Sequence, residues 1–210
     1  TVLVACTIII TNAQNYCSPT ELPFKGGEQI IYDVEYKMGK TWVSAGKVRF
    51  IVKDSTYNNK SCLYLEGKGK SLKSYDWFFK VRDKYASFIS KENYKPIHFI
   101  RRVREGEFYL DFDYDFDYEK KIAKIKEKKK EGEKQETIKI EKCSYDIMTS
   151  VYFSRAIDFS SMHIDDTVGI DIVLDKQIFN NVGIVFKGKR KITDQHGKKL
   201  NCIHFQLDLI

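Results

Sequence analysis

From Glu28 to Lys37 apolar and polar side chains alternate. Ile30, Tyr32, Val34 and Tyr36 share one face of an extended backbone, and Ile31, Asp33 and Glu35 share the other. A period of two predicts a strand. Met38-Gly39-Lys40 supplies a turn, and Thr41 to Lys53 continues the alternation through Val48, Phe50 and Val52, so the two segments read as a hairpin. Asn58-Asn59 then turns the chain into Ser61 to Gly69. Tyr75 to Asp83 and Tyr85 to Ser90 read as one or two further strands, with a short helix around Trp77 to Arg82 as the alternative. After Pro96, Ile97 to Arg104 meets Glu107 to Tyr118 across Glu105-Gly106, which sets Val103 opposite Phe108, Phe99 opposite Phe112 and Arg104 opposite Glu107. That arrangement collects Phe108, Leu110, Phe112, Tyr114, Phe116 and Tyr118 on one face and Asp111, Asp113, Asp115 and Asp117 on the other. A further hairpin bends near Gly132, with Ile122, Ile125, Ile138 and Ile140 as its apolar positions and a charged tip.

One segment changes period. From Ser144, read as N-cap with Asp146 in the first turn, to about Ile157, the residues Ile147, Met148, Val151, Tyr152, Arg155 and Phe159 recur at three- and four-residue spacing, as on a helix. Strands resume at Thr167 to Phe179, Gly183 to Thr193 and Leu200 to Ile210, separated by Asn180-Asn181 and His196-Gly197. The expected fold is mainly β: a strongly curved antiparallel sheet, or a barrel-like fold, with one short helix packed against it.

At 210 residues the chain suits a single all-β domain, and its 14% aromatic content fits half-buried strands rather than disorder or a coiled coil. Thr1 to Ala13 is an uncharged apolar run ending in small and polar residues, which reads as a secretory signal cut after Ala13. The expected organisation is a signal segment at 1–13, truncated at its start, and one β-rich domain at 14–210 that continues past Ile210 in the native protein. Leu3-Val4-Ala5-Cys6 also has the form of a lipobox, although the residues after Cys6 stay apolar through Ile10.

Without that segment Cys17, Cys62, Cys143 and Cys202 remain, an even number that permits three pairings which sequence does not rank. Four reduced, buried thiols are the alternative. Net charge is +7, which in a cytosolic protein would raise nucleic-acid binding. Export removes that partner and turns the charge toward anionic lipid or polysaccharide, or toward solubility alone.

Candidate chemistry is sparse. The run Asp111 to Asp117 lacks the glycine and the closing carboxylate of a calcium loop, and alternate strand residues lie about 6.8 Å apart, so it reads as a solvated acidic face paired with Lys and Arg. His98, His163, His196 and His204 have no ligand spacing, and no nucleophile elbow, phosphate loop or dinucleotide fingerprint occurs. No catalytic residue, metal or cofactor is therefore assigned. The Lys126 to Lys142 hairpin reads as a soluble, edge-protecting tip, its alternative being attraction to anionic headgroups. Trp77, Phe78 and Phe79 followed by Lys80 and Arg82 combine apolar bulk with cations, which suits an amphipathic ligand as well as plain packing. With Tyr152 and Arg155 of the helix, the ligand-binding candidates are Trp77, Phe79, Arg82, Tyr152 and Arg155. Asp146 and Arg155 sit on an otherwise apolar helix and must pair, snorkel or meet a ligand.

Several segments in order carry a resemblance: Gly27-Glu28-Gln29-Ile30-Ile31-Tyr32-Asp33-Val34, Ala45-Gly46-Lys47-Val48, Phe79 to Tyr85, Pro96 with Phe99, Cys143 to Arg155, Phe186 to Thr193, and Gly197 onward. Together they resemble the uncharacterised bacterial exported family catalogued as domain of unknown function 3108, over nearly all of the chain after its first segment. The resemblance implies an exported protein with a β-rich, barrel-like fold and carries no established activity or catalytic residue. It also implies a Trp-containing and a Pro-containing strand beyond Ile210. The leading expectation is a non-catalytic envelope protein, periplasmic or outer-membrane associated, that binds an amphipathic ligand such as lipid or glycolipid beside the helix. The alternative is a structural or assembly factor binding another envelope protein through a sheet edge. A cell-wall or lipid hydrolase comes third.

Overall fold

The computed structural model of the chain describes residues 14, 15, 17, 19–194 and 197–208. The signal segment, Cys6, the His196 turn position and Ile210 lie outside the described residues.

Eight strands form one antiparallel meander in which each pairs with the next: β2 (Gln29–Met38), β3 (Thr41–Tyr57), β4 (Lys60–Ser71), β5 (Arg82–Ser90), β6 (Pro96–Glu105), β7 (Phe108–Asp117), β8 (Ile122–Lys129) and β9 (Gly132–Lys139). A second sheet contains β11 (Thr167–Leu174), β12 (Gln177–Thr193) and β13 (Lys199–Asp208), with β1 (Gln14–Asn15) and β10 (Ser144–Asp146) both parallel to β11. One helix, α1 (Ile147–Phe153), continues as a 3-10 turn through Ala156. Among the described residues the protein is mainly β with one short helix. Among the described residues β2 pairs only with β3 and β9 only with β8, so the larger sheet is open rather than closed into a barrel.

Turn chemistry fixes the ladders. Asn58 and Asn59 both adopt positive φ between the paired Tyr57 and Lys60, the conformation that two-residue hairpin turns require. Asp175 and Lys176 do the same between β11 and β12. The expected Glu105-Gly106 turn is displaced by one residue: Glu105 pairs with Phe108, so the loop is Gly106-Glu107, with Gly106 at φ 58°. Val103 therefore faces Leu110, and Phe99 faces Tyr114. The register differs by two residues from the expected one, and two is the repeat of a strand, so every side chain keeps its face. Leu110, Phe112 and Tyr114 are buried, while Asp111 and Asp113 pair with Arg104 and Arg102 on the opposite face.

Two expectations need correction. Asn180-Asn181 does not separate two strands; it lies within β12, where Ile170 pairs with Val182 and Ile172 with Phe179, so two residues oppose Asp171. This is a bulge, and the Asp171 carboxylate accepts the freed Asn181 amide at 2.9 Å. Ser144 does not cap the helix, because Ser144 to Asp146 are taken up as a strand against β11. Asp146 is the cap, and its Oδ1 accepts from the Thr149 amide at 2.9 Å.

One apolar cluster runs from Phe24 through the inner face of the large sheet, the helix and the second sheet to Phe186. Met148, Tyr152 and Phe153 are its helical members. Gly67 on β4 lets the helix approach, since a Cβ there would stand 2.8 Å from Met148 Cε and 3.0 Å from Phe50 Cε1. Cys17 and Cys143 form a disulfide across 126 residues, while Cys62 and Cys202 are free thiols, so the outcome is neither the two disulfides nor the four reduced thiols expected.

Candidate basic groove

On the outer face of the large sheet, three successive strands each carry a basic pair at i and i+2: Lys47 and Arg49 on β3, Lys68 and Lys70 on β4, Arg82 and Lys84 on β5. Alternation puts both members of a pair on one face. Register then aligns the pairs, with Arg49 opposite Lys68 opposite Lys84, and Lys47 opposite Lys70 opposite Arg82. These six cations, with Ile31, Gly69 and Asp83, line a groove of about 480 Å³. That volume lies in the range of small-molecule sites.

Cations directly across a ladder repel one another. Lys84 also stands opposite Arg102 of β6, but there a carboxylate intervenes on the next strand: Asp111 of β7 is opposite Arg102, and Arg102 holds both oxygens of Asp113, diagonal to it, at 2.7 and 2.8 Å. Beneath the groove one carboxylate serves three cations. Glu66, 4% exposed, lies 3.1 Å from Lys68, 3.7 Å from Lys84 and 3.8 Å from Arg49, and accepts the Tyr64 hydroxyl at 2.7 Å. Burial opposes its charge, but the hydrogen bonds from Tyr64 and Lys68 and the fields of Lys68 and Lys84 outweigh burial and hold the carboxyl below the usual glutamate value. Asp33 pairs with Lys47 at 2.6 Å. Asp76 pairs with Arg82 at 2.5 Å, and that hydrogen bond holds the Asp76 carboxyl below its ordinary value. Asp83 accepts the Arg104 amide. Six cations thus face four carboxylates, so the groove is net positive with its walls already salt-bridged.

The sequence-derived candidates fall into two places. Arg82 belongs to the groove. Trp77 and Phe79 are in the connection between β4 and β5, which forms a 3-10 turn (Lys73–Tyr75) and further turns rather than the expected strand or helix. Arg82 ties this connection down through Asp76 and the Ser71 hydroxyl. Tyr152 and Arg155 lie elsewhere, around Phe24. The Tyr152 ring meets Phe24 edge-on at 4.9 Å, and Arg155 holds both oxygens of Glu28 at 2.6 and 2.9 Å. Arg155 is thereby an ion-pair member rather than a free cation. Tyr152 is 2% exposed, and burial together with the Glu28 charge pushes its hydroxyl up to about 12. Asp146 is fully buried, accepting from Ser87 at 2.8 Å and the Thr149 hydroxyl at 2.6 Å; burial raises its carboxyl despite these donors. It is a structural cap inside the core.

Lys47, Arg49, Lys68, Lys70 and Lys84 were not singled out by sequence reasoning. The signal for them was the basic pair repeated on three strands, which acquires meaning only when register stacks the pairs.

A family model described as "Protein of unknown function (DUF3108)" matches residues 31–209. The chain belongs to this family. The DUF3108 match spans the large sheet from the third residue of β2 onward and the whole groove. No curated protein and no solved structure matches the chain.

Proposed function

We propose that this DUF3108 member is a non-catalytic binding protein for an anionic amphiphile of the lipid or glycolipid class, held by its headgroup in the basic groove. The observation that carries the reading is the stack of six cations across β3, β4 and β5, which four carboxylates compensate only in part and whose remaining excess charge an anionic headgroup would offset. The site is on the outer face of the sheet and not beside the helix, where Tyr152 and Phe153 fill a packed core. The Cys17–Cys143 bond supports an exported, envelope location, periplasmic or associated with the outer membrane, because disulfides persist in oxidising compartments.

Titration calorimetry with dihexanoylphosphatidylglycerol, a short-chain soluble anionic lipid, tests the proposal. Replacing Lys47 and Lys70 by Gln is expected to weaken binding by roughly 2 kcal/mol, about thirtyfold, at about 1 kcal/mol per cation. Equal affinity of parent and variant, or no binding by the parent, overturns the reading.

A second reading, an assembly factor that receives another envelope protein along a sheet edge, draws on β2. That strand is an edge whose Ile31, Tyr32 and Tyr36 are each more than half exposed. Photo-crosslinking from Tyr36 in cells should then recover one dominant protein, and recovering none removes it.

A further inference from the structure

In an antiparallel meander alternate connections fall at the same end of the sheet. The β2–β3, β4–β5, β6–β7 and β8–β9 connections of the large sheet therefore share one end, and the β3–β4, β5–β6 and β7–β8 connections share the other. The two ends differ sharply in chemistry. At the first end the β2–β3 hairpin carries Tyr36 and Trp42, 65% and 62% exposed; the β4–β5 connection carries Trp77 and Phe78, 84% and 77% exposed, with Phe79; the β6–β7 hairpin carries Phe108; and the β8–β9 tip carries the exposed charges Lys130 and Glu131. At the second end the connections hold Asn58 and Asn59, Lys91 to Asn93, and Glu119 to Lys121, and none of the exposed large hydrophobic residues among those described.

The aromatic end is built, not frayed. The Gly106 amide donates to the Lys80 carbonyl at 2.8 Å, the Phe79 ring lies against Gly106 where a Cβ would stand 3.1 Å from it, and Asp76 is fixed by Ser71 and Arg82. Those contacts hold Trp77 and Phe78 outward in water, where apolar surface is costly. The same connection carries Lys73 and Lys80, and its base is Arg82 of the groove. Indole and phenyl rings with cations immediately behind them match the bilayer interface, where aromatic rings lie at headgroup depth and basic side chains meet anionic lipid.

We propose that this end of the sheet docks on an anionic bilayer, with Trp77 and Phe78 inserted among the lipids and the basic groove against the headgroups. The proposal rests on the groove reading above and adds that the headgroup is met in the membrane plane. Charge complementarity selects the occupant: a zwitterionic bilayer offers the groove no net negative charge, and an apolar protein partner has no use for its cations.

The test uses the whole chain and vesicles of phosphatidylethanolamine with phosphatidylglycerol, against vesicles of phosphatidylcholine. In Trp42→Phe, Trp77 is the sole indole, since the chain has two tryptophans. Its emission is expected to shift to the blue with the anionic vesicles and to stay unchanged with the neutral ones. Trp77→Ser combined with Phe78→Ser is expected to lower co-sedimentation affinity about tenfold or more, while binding of soluble dihexanoylphosphatidylglycerol stays within about twofold of the parent. Both residues are largely solvent-exposed, and an unchanged circular dichroism spectrum confirms that the variant folds. No blue shift, or undiminished vesicle binding by the double variant, overturns the docking even where soluble lipid still binds. Loss of soluble-lipid binding in the parent overturns the groove reading on which the docking depends.

Discussion

Arg101 of β6 and Asp175 of the β11–β12 turn form an ion pair that joins the two sheets. The Arg101 side chain is largely buried, lies over the Tyr85 and Phe112 rings at 5.6 and 5.9 Å, and donates from Nε to the Tyr85 hydroxyl. Beside it Lys176 reaches the buried Glu127 of β8 at 3.0 Å, so two adjacent turn residues clamp the second sheet to the first. Asp175→Asn keeps a residue that tolerates the positive φ at this position but strands the guanidinium, and is expected to cost about 1–3 kcal/mol. Arg101→Met keeps the stem and is expected to cost less. Urea unfolding of both single variants and the double should give a coupling energy above about 0.5 kcal/mol.

The Cys17–Cys143 bond closes a long loop and anchors the chain ahead of β2 to the chain ahead of β10. Reduction, or replacement of both residues by Ser, is expected to lower stability by roughly 2–5 kcal/mol, largely by releasing the unfolded chain. Peptide mapping under non-reducing conditions should link Cys17 to Cys143 and find Cys62 and Cys202 alkylated only as free thiols. Linkage of Cys62 to either would contradict the pairing.

Gly67 governs how closely the helix lies on the sheet. Gly67→Ala places a methyl against Met148 and Phe50, and overpacking of that kind is expected to cost about 1–3 kcal/mol. Met148→Ala combined with it should recover part of the loss, because the nearest atom to the new methyl is the end of that side chain. Additive losses in thermal melts would count against the contact.

His98 sits between Asp113 and Asp115 of β7, with Nδ1 at 2.7 Å from Asp115, and stacks on Tyr57 at 4.9 Å. Burial disfavours its cation, but hydrogen bonds and charge from Asp113 and Asp115 outweigh that and raise it above the ordinary histidine value. A raised folded value means the stabilisation is fully present below the unfolded value, near about 6.5, and is lost as pH climbs through the folded one. Melting temperature is therefore expected to fall as pH rises above about 6.5, and His98→Gln should flatten that slope. An equal slope in the variant would assign the pH dependence elsewhere.

Strand patterning was legible because alternation is local: β7 turns its aspartates to one face and buries Leu110, Phe112 and Tyr114 on the other, whichever strand it meets. Even the mistaken β6–β7 register kept the faces right, since it slipped by one full repeat. The Asn180-Asn181 turn misled because a bulge and a turn use the same residue types, and only the ladder partner Asp171 separates them.

Sequence alone therefore determined the β character, the single helical stripe, the inward and outward faces, and membership of the family, all of which follow from side-chain order along one backbone. Tertiary structure alone decided that there are two sheets, that Asp146 caps the helix from within the core, that Cys17 meets Cys143, and that three separate basic pairs become one groove. The reason is physical: period reports which way a side chain points, but the charged residues of β3, β4 and β5 come to lie on neighbouring strands, whose backbones are roughly 4.8 Å apart, only after long-range pairing has chosen their register.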